Sequence, residues 1–203
     1  MPVINVSLDE QATCHFVANF VLISQTQGCS GFLDFVPWLL QQDLPSRPLH
    51  HAFQACALGA LSNRVNPGNT NLSFKVMSAY TKALKAVHQA LQDPAESRSD
   101  ATLAAILLLG LFENITAKDV GSLAWGTHVQ GAVNVVQSRG KRQFRSETGL
   151  QLFIAVRVQM VRKVRFGSLD VSSANSLSAR PNNNHRTGAN LRRRLVAGRC
   201  RVQ

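Results

Sequence analysis

Apolar residues recur every three or four positions along most of the chain, the period of an amphipathic α-helix. No run of alternating apolar and polar residues suggests a β-strand. The cleanest pattern predicts a helix over residues 72–92, which Asp93-Pro94 ends. Its apolar stripe is Leu72, Val76, Ala79, Tyr80, Ala83, Leu84, Val87 and Leu91, and Lys75, Lys82, Lys85 and Gln89 fill the opposite face. We therefore expect an all-α fold, either a multi-helix antiparallel bundle or a solenoid-like stack.

Residues that favour helix ends locate the remaining helices. Ser7-Leu8-Asp9-Glu10 has the pattern of a capping box, in which the Ser7 hydroxyl and the Glu10 carboxylate each accept from the other residue's amide. Gly140 stands where a left-handed C-terminal cap is favoured. Further helices are predicted from Ser7 onward and over residues 49–63, 102–114, 123–139 and 148–163. Residues 102–114 are apolar around most of the helix, which predicts a central helix covered by its neighbours.

The charge divides the 203-residue chain into two regions. Residues 1–138 carry seven Lys/Arg and nine Asp/Glu, a net charge of −2, whereas residues 139–203 carry fifteen and two, a net charge of +13. The last 40 residues hold five Ser, five Asn and eight Arg and few large apolar side chains, so they cannot offset the entropy of ordering. We expect a helical domain over residues 1–163 and a disordered basic tail over residues 164–203.

The composition excludes several classes of protein. The longest apolar run, residues 101–112, is too short for a membrane span, and no basic start of a secretory signal is present, which favours a soluble intracellular protein. Four widely spaced cysteines form no zinc pattern and no disulfide framework. We interpret Cys14 and Cys56 as small core residues. The rings of His50 and His51 diverge by about 100° on a helix and cannot easily share a metal, so no metal or cofactor is predicted.

No catalytic constellation is apparent, and we predict that the chain is not an enzyme. Nucleophile-elbow and phosphate-loop patterns are missing, and carboxylates are scattered. Glu113 ends an apolar helix and is interpreted as part of an ion pair or a cap rather than as a catalytic carboxylate. His128 shares a helix face with Trp125 and Gly131. We expect Trp125 and His128 to pack against a neighbouring helix that Gly131 allows to approach closely, in preference to a ligand contact.

Arg192, Arg193 and Arg194 open two hypotheses for the basic tail. They could contact nucleic-acid phosphates or form a nuclear-import signal. A non-specific polycation is the interpretation we favour, because no aromatic residue is interleaved to stack on bases.

Two adjacent segments carry a resemblance to a known family. The first runs from Asp100 to Glu113 with the pattern D-x-T-L-A followed by L-x-x-F-E, so Leu103 and Phe112 are motif positions. The second has W-x-x-H-x-x-G-A from Trp125, with His128 and Gly131, and then Arg139-Gly140. Together they resemble the fungal-specific transcription factor domain, the helical regulatory region of fungal zinc binuclear cluster regulators. Looser matches, such as Tyr80-Thr81-Lys82-Ala83-Leu84, extend the resemblance over residues 10–163.

The resemblance implies a nuclear domain that regulates transcription by binding proteins of the transcription machinery, a second copy of itself or a small-molecule effector. The six-cysteine cluster that reads DNA in that family is missing, so we expect no direct sequence-specific DNA binding by this chain. The family domain usually continues beyond the position of Met160, so we expect a truncated member whose apolar faces at residues 102–114 and 150–161 are partly exposed. The alternative is a helical scaffold or adaptor unrelated to transcription.

Overall fold

The computed structural model describes residues 6–21, 32–42, 46–65, 70–117 and 123–161. Within these ranges no strand occurs, and the prediction of an all-α fold is confirmed. The α-helices are α1 Leu8–Phe20, α2 Phe35–Leu40, α3 Arg47–Val65, α4 Thr70–Gln92, α5 Asp100–Thr116, α6 Leu123–Arg139 and α7 over residues 147–161. Short 3-10 helices, Glu96–Arg98 and Gly140–Arg145, precede α5 and follow α6. The predicted disordered tail, residues 164–203, lies outside the described residues.

The helix ends follow local chemistry. The capping box at α1 is confirmed, since the Ser7 hydroxyl accepts from the Glu10 amide and the Glu10 carboxylate accepts from the Ser7 amide. Ser99 caps α5 by accepting from the amide of Thr102. Gly140 has a φ of 58°, the left-handed conformation that glycine adopts without a steric penalty. The side-chain amide of Gln143 then donates to the carbonyl oxygens of Val136 and Gly140, which closes the end of α6.

Helix α5 lies at the centre of the fold, as its apolar circumference predicts. It contacts α2, α3, α4 and α6, and nine consecutive residues, 102–110, are buried. These include Thr102, whose hydroxyl accepts from that of Ser99, so its burial leaves no polar group unsatisfied. The predicted partial exposure of an apolar face at residues 102–114 is therefore wrong, because neighbours cover this helix on every apolar side.

Hydrogen bonds fix the directions of the helices around α5. The Cys56 thiol donates to the carbonyl oxygen of Leu108 at 3.0 Å, and the Asn63 amide donates to that of Ile115. Both pairs are 52 residues apart, so α3 and α5 run parallel and in register. Helix α4 connects them and runs the other way, because its C-terminal residues meet the starts of both helices around one groove. The order α3–α4–α5–α6 is thus an up-and-down bundle.

Helix α4 has two apolar faces where the sequence pattern predicts one. Its inner face is buried in the core and consists of Leu72, Val76, Ala79, Ala83, Ala86, Val87 and Ala90. Leu84 and Leu91, assigned to the same stripe from their spacing, are exposed, and so are Phe74 and Met77. The prediction is wrong for these two leucines because the inner face is made largely of alanine and is narrow, which turns the positions beside it outward.

Helix α7 keeps the apolar exposure expected for residues 150–161. Leu152, Ala155 and Val156 enter the core. The opposite side is exposed at Leu150, Ile154, Val158, Met160 and Val161. This part of the exposure prediction is confirmed.

The interpretation of the cysteines is half correct. Cys56 is buried in α3, whereas Cys14 is exposed on α1. The buried positions of α1 are Ala12 and Phe16, four residues apart, and Cys14 falls between them, about 200° around the helix. Within the described residues, no helix combines the length and apolar character needed to cross a membrane.

Candidate interaction site on α4, α5 and α6

The polar residues of the two motifs join the helices that carry them. Asp100 stands in the first turn of α5, and Arg139 ends α6. The Arg139 guanidinium donates through Nη2 to the Asp100 carboxylate, which makes an ion pair. Because Ser99 takes the capping position, the Asp100 carboxylate is available for this contact. The pair therefore ties the start of α5 to the end of α6.

The environment of Arg139 is basic and largely closed to water. Its side chain is 8% exposed, against 28% for that of Asp100, and its Nη1 is buried without a hydrogen-bond partner. Arg98 and Arg142 line the same pocket of about 230 Å³. The Asp100 carboxylate thus neutralises the Arg139 guanidinium in a region where two more arginines lie. Asp100 is therefore important for the stability of the contact between the start of α5 and the end of α6.

The other end of the α5–α6 pair is joined through a residue of α4. The Tyr80 hydroxyl donates to the carboxylate of Glu113, and His128 Nε2 lies 3.2 Å from the same hydroxyl oxygen. The hydroxyl has a single proton, so the contact with His128 is a hydrogen bond only when Nε2 carries one. The sequence predicts an ion pair or a cap at Glu113. Its carboxylate instead accepts a hydrogen bond from the Tyr80 hydroxyl.

Ring packing orients the tyrosine. The rings of Tyr80 and Phe112 are stacked with their centroids 4.4 Å apart and their planes inclined by 11°. Phe112 is buried and also faces Gly59 of α3. The motif residue Phe112 therefore sets the position of the hydroxyl that meets Glu113 and His128.

Burial perturbs the titration of these groups. The pKa of Tyr80 is raised above its ordinary value, first by burial and then by the carboxylate of Glu113. The pKa of His128 is lowered, because burial disfavours the imidazolium more than Glu113 stabilises it. A neutral histidine and a protonated tyrosine are the forms compatible with this hydrogen-bonded chain near neutral pH.

The close approach of two helices occurs at a different glycine from the one that the sequence suggests. A Cβ at Gly131 would meet only Ile106 Cγ2, at 3.9 Å, which is an ordinary contact. The expected close approach at Gly131 is therefore wrong. A Cβ at Gly59 would lie 3.2 Å from both Phe112 and Thr116, so the close approach is between α3 and α5. The α6 helix is kept at its distance by side chains, including the buried Val129 and Ala132.

The remaining predicted positions are distributed as follows. Leu103 is fully buried in α5 and belongs to the core. Trp125 lies in α6, but its side chain is outside the described residues, and so are Arg192, Arg193 and Arg194. Sequence reasoning gave Tyr80 only a place in the apolar stripe and missed its bridging role. That it is the sole tyrosine of the chain, within one of the looser family matches, was the available signal.

The arrangement holds helices together, and it contains neither a metal-binding cluster nor an activated thiol among the described residues. Among the described residues, no group of three or more His, Cys, Asp or Glu side chains could hold a metal ion. The Cys56 thiol has a raised pKa because it is buried, which disfavours the reactive thiolate. A groove of about 670 Å³ lies between the start of α3 and the end of α4. It is lined mainly by small and polar residues: Ser46, Arg47, Pro48, Ala86, Gln89, Ala90, Glu96, Ser99, Ala101 and Thr102.

The two polar junctions have a simple geometric meaning. Asp100 and Glu113 are 13 residues apart on α5, and His128 and Arg139 are 11 apart on α6, or about 20 and 17 Å along the helices. Two antiparallel helices joined at both ends require such matching spans. The two motifs are thus the two halves of one antiparallel unit.

Comparison with known families agrees with this geometry. No curated protein and no solved structure matches the chain. The family model described as the fungal specific transcription factor domain matches residues 14–160, well over half of the sequence, and includes α3 to α6 in full. The protein is therefore a member of the fungal-specific transcription factor domain family.

Proposed function

We propose that this chain is the regulatory and interaction domain of a fungal transcription regulator, acting in the nucleus by binding a protein partner or a small effector. The family match over residues 14–160 is the observation that carries the proposal. A regulator of this kind needs a stable helical body and surfaces that other molecules can bind.

The use of the polar motif residues supports binding rather than chemistry. Asp100 pairs with Arg139, and Glu113 and His128 meet at Tyr80, so each of these groups is engaged inside the bundle. Most of the large apolar side chains that are exposed lie instead on α4 and α7. We infer that the chain regulates through these outer faces and is not an enzyme.

We propose no direct sequence-specific DNA binding by this chain. The sequence has four cysteines, and they form no six-cysteine cluster. We further propose residues 1–163 as the regulatory domain and the basic residues 164–203 as a separate segment, in which Arg192, Arg193 and Arg194 are available for import into the nucleus or for phosphate contacts.

Two measurements in fungal cells test the proposal. The full chain, fused to a fluorescent protein, is expected in the nucleus. Fused to an unrelated DNA-binding module, it is expected to change expression of a reporter that carries the module's binding sites. Leu108→Asp, which places a charge in the core, is the matched control and should abolish the reporter effect.

Exclusion of the tagged chain from the nucleus would favour the scaffold or adaptor function instead. A reporter that responds equally to the chain and to its unfolded Leu108→Asp variant would also contradict the proposal.

A further inference from the structure

Three arginines meet at one pocket beside the ion pair that joins α5 and α6. The pocket has a volume of about 230 Å³ and is lined by Arg98, Arg139, Arg142, Gln143 and Ser146. These residues come from the 3-10 helix before α5, the end of α6, the 3-10 helix after it and the position directly before α7. We call the five residues the arginine pocket. No carboxylate is among them.

The turn after α6 brings the pocket residues together. Gly140, with its left-handed backbone, turns the chain out of the helix, so that the following 3-10 helix lies beside Arg139. The side-chain amide of Gln143 donates to two carbonyl oxygens at the end of α6, which fixes that 3-10 helix. On its other side α7 packs closely, since a Cβ at Gly149 would overlap the backbone carbonyl oxygen of Gln143. The walls of the pocket are therefore held in place by the fold itself.

The positive charge of the pocket exceeds the negative charge that the protein places against it. Arg139 pairs with Asp100 through Nη2, but its Nη1 is buried without a hydrogen-bond partner, and the side chain is only 8% exposed. Arg98 and Arg142 are exposed, and neither forms an ion pair within the described part of the chain. Three guanidinium charges less one carboxylate charge leave a net charge of +2. Such an excess favours the binding of a dianion.

Charges around the pocket leave this excess in place. Lys141 and Arg145 are exposed on the 3-10 helix that follows α6. Glu96 and Glu147 are exposed as well, and neither lines the pocket, so their two negative charges offset at most those two cations. Helix α7 begins directly after Ser146, which places the positive end of its dipole at the edge of the pocket.

We propose that the arginine pocket binds the phosphate group of a small phosphate monoester, which acts as an effector of the regulatory domain. A phosphate monoester carries about −1.5 to −2 charges near pH 7, which matches the excess, whereas a carboxylate carries one. Its three terminal oxygens can accept from the planar forks of Arg98 and Arg142 above the charge of Arg139. The role of the ligand as an effector rests on the proposed function, and the inference specifies its chemistry.

The size of the pocket and its remaining polar group restrict the rest of the ligand. A volume of about 230 Å³ is below the roughly 300–1,000 Å³ of sites that enclose drug-sized ligands, so it holds a phosphate and a few attached atoms. Gln143 is 5% exposed, and its Oε1 is buried without a partner. Because backbone carbonyls hold the amide nitrogen, this oxygen stays an acceptor, which suits a hydroxyl donor of the ligand. A phosphorylated sugar or polyol supplies both groups.

The phosphates of nucleic acids fit less well. They are diesters with one charge each, and proteins bind them along extended basic patches or stripes. The arginine pocket is instead a single small depression whose central guanidinium, that of Arg139, is nearly closed to water. A small molecule can enter it, whereas a duplex would contact only the exposed arginines at its edge.

The test uses the purified full chain and three six-carbon probes. Glucose 6-phosphate carries a phosphate dianion, gluconate a carboxylate, and glucose no charge. Isothermal titration calorimetry at pH 7.5 is expected to show saturable binding of glucose 6-phosphate, binding at least about tenfold weaker for gluconate, and no binding of glucose. Inorganic phosphate is expected to compete with glucose 6-phosphate for the same site.

Variants locate the binding. Arg98→Gln with Arg142→Gln should weaken binding of glucose 6-phosphate by about tenfold or more, and it should not lower the free energy of unfolding in urea, because like charges are removed from beside Arg139. Arg98→Lys with Arg142→Lys keeps the charges without the planar forks and should give an intermediate affinity. Lys75→Gln with Lys82→Gln removes two exposed charges at least about 15 Å from the end of α4. This matched control should change the affinity by less than about twofold, because salt screens charges at that distance.

The basic tail is the competing source of phosphate binding. Arg192→Gln, Arg193→Gln and Arg194→Gln together should leave the affinity within about twofold of the parent chain. Binding that this tail variant loses and the Arg98→Gln, Arg142→Gln variant keeps would overturn the inference. So would equal binding of glucose 6-phosphate and gluconate, or no saturable binding of either glucose 6-phosphate or inorganic phosphate. A phosphoserine peptide or a DNA duplex that binds more than about tenfold tighter than glucose 6-phosphate through the same two arginines would assign the pocket to a macromolecule instead.

The two proposals fail separately. The localisation and reporter measurements use none of these probes or variants, so an absence of phosphate binding leaves the proposed function standing. Phosphate binding by a chain that is excluded from the nucleus would keep the pocket and refute its role in a transcription regulator.

Discussion

The ion pair between Asp100 and Arg139 predicts an asymmetric loss of stability. Removing either partner breaks the same contact, but the group left behind differs. Asp100→Ala leaves a guanidinium that is 8% exposed and already has one unpartnered nitrogen. Arg139→Met keeps the apolar stem and leaves a carboxylate that is 28% exposed in the first turn of α5.

The expected magnitudes follow from these residual groups. Leaving a buried charge without its partner costs about 3 kcal/mol of the free energy of unfolding. A partly exposed carboxylate near a helix N-terminus is stabilised by the helix dipole, so its release costs about 1 kcal/mol. Asp100→Ala should therefore destabilise the chain by about 2 kcal/mol more than Arg139→Met does. The double substitution removes both charges and should be no less stable than Asp100→Ala alone.

Urea unfolding of the full chain at pH 7, followed by far-ultraviolet circular dichroism, measures these differences. The dependence on urea concentration should be the same for all variants, since the surface exposed on unfolding hardly changes. Asp100→Asn, which keeps a hydrogen-bond acceptor without the charge, should fall between the parent and Asp100→Ala. Equal losses for the two single substitutions, or a larger loss for Arg139→Met, would refute the reasoning from burial.

Three further predictions concern single sites. In the same urea assay, Gly59→Ala should lower the free energy of unfolding by about 1–3 kcal/mol, because the new methyl group overlaps Phe112 and Thr116. Gly131→Ala should be neutral or stabilise the chain by up to about 1 kcal/mol, and equal effects of the two substitutions would contradict the packing. Since folding lowers the pKa of His128, the stability that neutral His128 contributes is fully present above its ordinary pKa of 6.5 and is lost as the pH falls through the lower folded value. Between pH 7.5 and pH 5 the free energy of unfolding in urea should therefore fall less for His128→Gln than for the parent chain, and an equal fall would contradict the prediction. Alkylation of the native chain, mapped by mass spectrometry, should label Cys14 rapidly and Cys56 only after unfolding, and early labelling of Cys56 would mean that α3 opens locally.

Much of the helical framework could be predicted because its signals are local. The capping box at Ser7, the left-handed glycine at position 140 and the bounds of α6, residues 123–139, depend on neighbours within one helical turn. The apolar circumference of α5 likewise predicted a central position from composition alone.

The site was less predictable because its contacts join distant parts of the chain. The motif spacing marked Glu113 and His128, but only packing brings Tyr80, 33 residues before Glu113, between them. The partner of Asp100 lies 39 residues away. No periodic pattern reports such distances.

The sequence by itself determined the helices, their approximate ends and the membership in a family, because helix formation and motif spacing are properties of consecutive residues. Tertiary structure decided which apolar positions are covered. Leu84 and Leu91 have the same spacing as the core residues of α4, yet they are exposed with Phe74 and Met77, because the alanine-rich inner face is narrow and the positions beside it turn outward. The exposed outer face of α4 could be recognised only after the other face of that helix had been assigned to the core.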